Sequence, residues 1–406
     1  MEIRLFDQIT DYENLIEFHP YGHYMKTNRW ASLNTHVKTQ SIGFYSHNEV
    51  VGTALLWIDS FMGIKYGYIP YGLCIDYENQ ELLKEAIDTL VEYAKGLNIA
   101  FLRMDPNVLR CEKDIEGNII PEGSNHEYVT ELLKDKGFIH KGYGYAYDGS
   151  FTNRYTLVVD MNKPFEEVIK SFNKNKKTSF NKHTLLCVTT RIGSLEELHH
   201  LCTFEKELFE TEGSKPHSEA FFRNILETFK EDGRYYVTEI DLASAVEKLE
   251  IEVSSKKYKK DLEAKLAKEK ELEKIKELKA KYGDKTIIAG GLFLTLGKKS
   301  WDLYTYNERD FDFLSPVDSL HLFAMKDFYD KGVTFYDMCG FSGVTDRSDP
   351  YYGLYAYKKS FGSKYYEQLG EFDYVFNPKK YKSYKFLRRG VNKVKRTYHI
   401  RRYKKK

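Results

Sequence analysis

Between Arg234 and Tyr282 the chain contains no glycine and no proline, and beyond about Leu242 it is dominated by Lys, Glu, Leu and Ala. A stretch of this length and composition is a helical element, because these side chains lose little rotamer freedom in a helix and no residue breaks the backbone ladder. Leu262, Leu266, Leu272, Ile275, Leu278 and Tyr282 fall on one apolar stripe. Their heptad is imperfect, which argues against a long parallel coiled coil, and Ser254 and Ser255 offer a turn. The expectation is an antiparallel helical (coiled-coil) arm over 242–282. A solvated dimerisation hairpin fits the same composition.

The segments on either side alternate between two periods. QSIGFYS, VVGTALLWI, KYGYIPYGLCI and AFLRMDP read as strands, and NQELLKEAIDTLVEYAKGL as an amphipathic helix. NRYTLVVD opens a second unit, in which FEEVIKSFNKNKKTSFNKHTL and SLEELHHLCTFEKELFE read as helical. After the arm, GDKTIIAGGLFLTLG resumes a sheet, and WDLYTYN, PVDSLHLFAMKDFYDKG and FYDMCGF repeat the order strand, helix, strand. The fold class is α/β, in two similar halves: 1–150, completed by 365–380, and 151–364 with the arm inserted.

The 406 residues suffice for two or three packed units, and a hydrophobic share of 42% rules out wholesale disorder. No long uncharged apolar run is present to span a membrane. Glu2, Arg4 and Asp7 occupy the place of a secretory core, and the five cysteines are odd in number, with no CxxC pair. Reduced cytosol is the expected compartment, with no disulfide framework and no metal site. There is no GxxxxGK[ST] and no GxGxxG after a strand, so no cofactor is expected.

Net charge is only +2, but it is unevenly spread. After Asp373 there is no acidic residue, whereas 14 Lys and Arg come after it. Tyr381, Tyr384, Phe386, Leu387, Val391 and Val394 interleave with them, which suits a helix lying on a surface. The basic tail, 379–406, can meet either an anionic bilayer or RNA phosphates.

Read in order, YIPYGLCID, FLRMDPNV, LLKDKGF, NRYTLVVD, FYDMCGFSG and GLYAYKKSFGSKYYEQLGEFDYVFN resemble the successive blocks of the Fem family (FemABX-type). These are aminoacyltransferases that build interpeptide bridges in peptidoglycan. The resemblance implies two acetyltransferase-like (GNAT-type) N-acyltransferase domains. It also implies transfer of an amino acid from aminoacyl-tRNA to the stem-peptide lysine amine of lipid II or UDP-MurNAc-pentapeptide, in the cytoplasm at the inner face of the plasma membrane. The rival readings are an N-acyltransferase of this fold with another acyl donor and a noncatalytic RNA- or membrane-binding protein.

The same resemblance assigns the site. Tyr357 and Lys358 match the dipeptide beside the reacting groups, and a lysine there can stabilise the oxyanion formed when an amine attacks an ester. Asp105, at a strand end, matches an aspartate near the acceptor amine, where it either accepts a proton or holds the ammonium. Lys177 and Lys182 match a basic helix start that holds phosphate. Asn34 stands where the family favours a lysine, leaving Lys26, Arg29 or Lys38 as substitutes. Tyr71 and Leu73 stand where Arg and Pro are commoner, so a reshaped acceptor cleft is expected there, and Arg103 is a further candidate for substrate binding. Tyr304 and Asp337 line the donor side, where aromatics can stack on the terminal adenosine.

Overall fold

The computed structural model describes residues 1–145, 151–212, 216–255 and 261–403. Their strands form two mixed sheets. The first runs in the order Glu2–Leu5, Lys38–Ser46, Glu49–Phe61, Ile64–Ile69, Phe101–Met104, Phe372–Val375 and Ile139–His140, with Cys74–Ile75 also paired to Glu49–Phe61. The second runs Lys364–Glu367, Tyr155–Asp160, Phe335–Gly340, Lys299–Asn307, Lys285–Leu296, Gly233–Asp241 and Val188–Ile192. The expected α/β architecture of two similar halves is present.

Each sheet is antiparallel except for one pair. Ile64–Ile69 runs parallel to Phe101–Met104, and Lys299–Asn307 parallel to Phe335–Gly340. A parallel pair needs a crossover, and in each half a helix supplies it: Gln80–Lys95 in the first and Pro316–Asp330 in the second. The first helix buries Leu83, Ala86, Ile87, Leu90 and Ala94 at helical spacing against its sheet, and the second buries Leu320, Ala324, Met325 and Phe328. FLRMDP and FYDMCG therefore hold equivalent places, each the second strand of its parallel pair. The carboxyl ends of such strands are where sheets of this kind open to ligands.

Two expectations are adjusted. The chain crosses from the second sheet to the first between Glu367 and Phe372, so a division at 364/365 cuts through the strand Lys364–Glu367. The helical run after Pro164 is two helices, Phe165–Ser171 and Lys174–Leu185, because Asn173 is extended and its side chain caps the second helix by accepting from Lys176 N.

Leu242–Ser254 and Leu262–Tyr282 are helices that run antiparallel. Leu242 N donates to Asp284 O, Lys276 pairs with Glu250 and Lys268 with Glu252. The apolar stripe is used unevenly: Leu272, Ile275 and Leu278 join a core with Leu242, Leu249, Ile288 and Phe311, while Leu262 stays 72% exposed. Residues 256–260, within the expected arm, lie outside the described residues.

Candidate active site between the two halves

In the first half, the strand Ile64–Ile69 ends in a tight turn. Tyr71 and Gly72 both have left-handed backbones, φ +57° and +70°. Glycine is required at the second position, since a Cβ there would lie 2.7 Å from Pro106 Cα. The turn aims Tyr71 N–H at Asp105 Oδ1, 2.8 Å away, while Tyr71 O accepts from Asn107 N. Asp105 Oδ2 accepts from Tyr68 OH at 2.9 Å and from the Thr152 hydroxyl. Burial raises its carboxyl to about 7, against the lowering effect of those donors.

The second half has its bend at the end of Phe335–Gly340, the strand equivalent to Phe101–Met104. Cys339 takes φ +60°, a strained value for a side-chain-bearing residue. Lys358 Nζ donates to the carbonyls of Met338, Cys339 and Gly340, so all three of its N–H groups hold this bend. An ammonium so committed has no donor left for an oxyanion. Lys358, expected from the resemblance to stabilise an oxyanion, is engaged here in holding this bend. What it positions is Asp337, whose Oδ1 accepts from Cys339 N at 2.8 Å. No other protein donor reaches that carboxylate among the described residues. Burial raises it to about 7, with the Cys339 N–H and Lys358 pulling the other way.

Between the halves lies a cavity of about 230 Å³. Its lining includes Tyr21, His23, Tyr71 and Asn107 from the first half, and Lys299, Trp301, Asp337 and Gln368 from the second. One wall is the loop from His19 to His23, held by an ammonium from each side. Lys26 Nζ, fully buried, donates to Tyr21 O, Leu73 O and Asn107 Oδ1. Lys299 Nζ donates to the carbonyls of His19, Pro20 and Gly22. Burial, with Lys26 nearby, draws Lys299 down to about 8. His23 stacks on Tyr71 at 3.7 Å between ring centroids and contacts Trp301 at 4.7 Å. Its Nδ1 accepts from Met25 N, which leaves the proton of the neutral ring on Nε2.

Of the residues expected from sequence, Tyr71 and Asp337 line this cavity. Asp105 touches it from behind, through Tyr71. The others are held elsewhere. Arg103 forms a bidentate pair with Asp373, at 2.7 and 2.8 Å, and ties the returning strand to the first sheet rather than facing a substrate. Lys177 is exposed on its own helix, and Lys182 pairs with Glu271 of the helical arm. The inward lysine of that segment is Lys176, buried against Asp318 at 2.5 Å with the Tyr357 ring 4.0 Å away. Tyr304 packs among His217, Phe221 and Phe222. Arg29, one of the substitutes for the lysine absent at Asn34, is engaged with Asp232 and Glu13.

Sequence reasoning missed His23, Trp301, Lys299 and the function of Asn107. Only Asn107 carried a signal, as the residue after the DP pair. It also missed the buried group Asp302, His321 and Tyr336, in which Tyr336 OH lies 2.6 Å from His321 Nδ1. Burial raises Asp302 to about 6 and holds His321 well below the ordinary imidazole range.

The sequence and the fold both have relatives. The lipid II:glycine glycyltransferase of Staphylococcus aureus (strain MSSA476) is 25% identical over 415 residues, an overlap of 95% of this chain and 96% of that one. The protein of the same name from Staphylococcus aureus (strain USA300) gives the same figures, 25% over 415 residues with 95% and 96% covered. The crystal structure of FemX shares the fold, with a TM-score of 0.76 at 23% identity over 94% of this chain and 99% of the other. The FemAB family model matches residues 8–389, and the chain belongs to the FemAB family.

Proposed function

We propose that this protein is an aminoacyltransferase that moves an amino acid from aminoacyl-tRNA to an amine of a peptidoglycan precursor, the stem-peptide lysine of lipid II or of UDP-MurNAc-pentapeptide. The product is part of an interpeptide bridge. The observation that carries this reading is a cavity built from both halves, with an open carboxylate in its wall, in a chain matched along 95% of its length by lipid II:glycine glycyltransferases. The lipid-linked acceptor is favoured because it is the one in the relatives' name.

The chemistry assigned to the residues rests on their surroundings. An alkyl ammonium must lose a proton before its nitrogen attacks the ester carbonyl. Asp337, with one carboxylate oxygen unclaimed and an affinity for protons near neutrality, is the acceptor of that proton. Asp337 releases that first proton to solvent; as the new C–N bond forms and the ester C–O bond breaks, the attacking nitrogen gives up a second proton, which Asp337 passes to the leaving ribose oxygen. Asp105 keeps the Tyr71 turn in place on the acceptor side, and Lys358 keeps Asp337 in place on the donor side. The arm, with 12 Lys against nine acidic residues over 242–282, offers a small positive excess to the phosphates of the donor.

The test is incubation of the full chain with a mixed charged-tRNA pool and lipid II, and measurement of the product mass. A precursor heavier by one amino acid residue supports the reading. No product from charged tRNA, with acylation from acyl-CoA on the same acceptor, would replace it by an N-acyltransferase with another donor.

A further inference from the structure

The last helix, Pro378–Tyr403, is fastened to the first sheet by its opening turns. Tyr381 and Tyr384 are buried, and Tyr381 OH donates to Asp373 Oδ2 at 2.7 Å. The Tyr384 ring lies 4.8 Å from Phe101 and 5.7 Å from Phe61. Arg388 covers Phe61 at 5.3 Å. These contacts fix the roll of the helix. Lys382, Phe386 and Arg389, spaced four and three apart, consequently share the outward face, all exposed, with Phe386 at 78%.

Against the same turns of the helix, through the Phe61 contacts with Tyr384 and Arg388, lies the tip of the hairpin between Glu49–Phe61 and Ile64–Ile69. Met62, at the tip, is 62% exposed, and exposed Lys65 lies just beyond it. The nearby acid, Asp59, accepts from Tyr66 OH. Two large apolar side chains thus stand in solvent at one end of the first half, among cations and next to a tail with no acidic residue after Asp373. Among the described residues no helix is long and apolar enough to cross a membrane.

We propose that the hairpin tip and the outward helix face form one docking surface for an anionic phospholipid bilayer. Met62 and Phe386 enter the boundary between headgroups and acyl chains, and Lys382 and Arg389 meet the lipid phosphates. Cations alone would serve RNA equally well. An unshielded methionine and phenylalanine beside them match a partner that is charged outside and hydrocarbon beneath. This surface stands independently of the transferase reading.

The experiment is flotation of the full chain with vesicles of phosphatidylglycerol and phosphatidylcholine in equal parts, and with phosphatidylcholine alone. Lys382→Glu/Arg389→Glu and Met62→Ser/Phe386→Ser are exposed changes, checked by thermal unfolding for an unaltered fold. The wild type should float with the anionic vesicles only, and each double variant should bind them at least about tenfold more weakly. Equal binding to both vesicle types overturns the proposal. So does full binding by Met62→Ser/Phe386→Ser, and that result together with displacement by uncharged tRNA would assign the surface to RNA.

Discussion

Tyr71 donates its backbone N–H to Asp105 Oδ1 at 2.8 Å, and this one bond couples the end of one parallel strand to the turn that ends its neighbour. Asp105 has donors on both oxygens, whereas Asp337, in the wall of the same cavity, has a donor on one. Burial brings both carboxyls to about 7. Equal acidity with unequal satisfaction is the basis of the division proposed for them: the carboxylate already holding three groups organises structure, and the one with a free oxygen takes a substrate's proton.

Asp337→Asn tests that division through pH. The carboxyl titrates at about 7 in the folded chain and at about its ordinary 3.8 when unfolded. Between those values the folded state keeps a proton that the unfolded state has lost, so stability falls as pH rises through this window. Asparagine has no such dependence. The variant's unfolding free energy relative to wild type should move in its favour by on the order of 4 kcal/mol between about pH 4 and about pH 8, measured by urea unfolding. In transfer assays the wild-type rate should rise through about pH 7 and the variant should lose that limb. A pH-independent stability difference with an intact rate profile removes Asp337 from this role.

Lys358→Met separates positioning from substrate binding. The methionine fills similar space but leaves the carbonyls of Met338, Cys339 and Gly340 without their donor. Each buried carbonyl so stranded costs about 1–3 kcal/mol, and the strained Cys339 is the residue expected to relax. Turnover should fall at least about a hundredfold, and lipid II affinity should stay within about threefold of wild type, because Lys358 is not part of the cavity lining. Undiminished product formation takes Lys358 out of the site.

Much of the fold was legible because its signals are local. The helix Gln80–Lys95 declares itself by spacing, and the strands Lys38–Ser46 and Glu49–Phe61 by composition and alternation. The break at Asn173 was hidden, since an extended cap between two helical stretches looks like part of one helix. The candidate cavity was legible only at Tyr71 and Asp337, each carried by one short block. The cavity joins His23, Tyr71 and Asn107 to Lys299, Trp301 and Asp337, residues from distant parts of the chain with no shared period. Lysines proved hardest to read. Sequence gives their charge, but whether an ammonium faces solvent, as Lys177 does, or is consumed by carbonyls, as Lys26 and Lys358 are, depends on backbone groups that no side-chain pattern reports.

Arg103→Ala should be a stability mutation. It leaves Asp373 fully buried beside Glu371 with its bidentate partner gone. Removing one member of such a pair costs about 3–5 kcal/mol, to be read from urea unfolding. Replacing both, as Arg103→Met/Asp373→Leu, should restore part of that loss, since the fully buried Asp373 charge is gone and Glu371 keeps the Phe151 N–H and the nearby Lys141. Among folded molecules the acceptor affinity should be unchanged. A selective affinity loss without destabilisation returns Arg103 to the substrate.

Gly72→Ala asks whether the turn matters as geometry. The substitution adds a Cβ 2.7 Å from Pro106 Cα and 3.0 Å from Tyr77 OH, at φ +70°. Alanine tolerates that backbone poorly, at about 1 kcal/mol or more before the clash is counted. The backbone of Pro106 cannot yield as a flexible side chain would, so the turn must move. Its movement lengthens the Tyr71–Asp105 bond and shifts the ring stacked on His23. The expected outcome is a loss of stability of about 2 kcal/mol and a fall in transfer rate larger than the unfolded fraction explains, with tRNA binding unchanged because the turn belongs to the acceptor side. Gly72→Ala with a normal rate at a temperature where it is fully folded would show that the Tyr71 turn is scaffold and no part of the site.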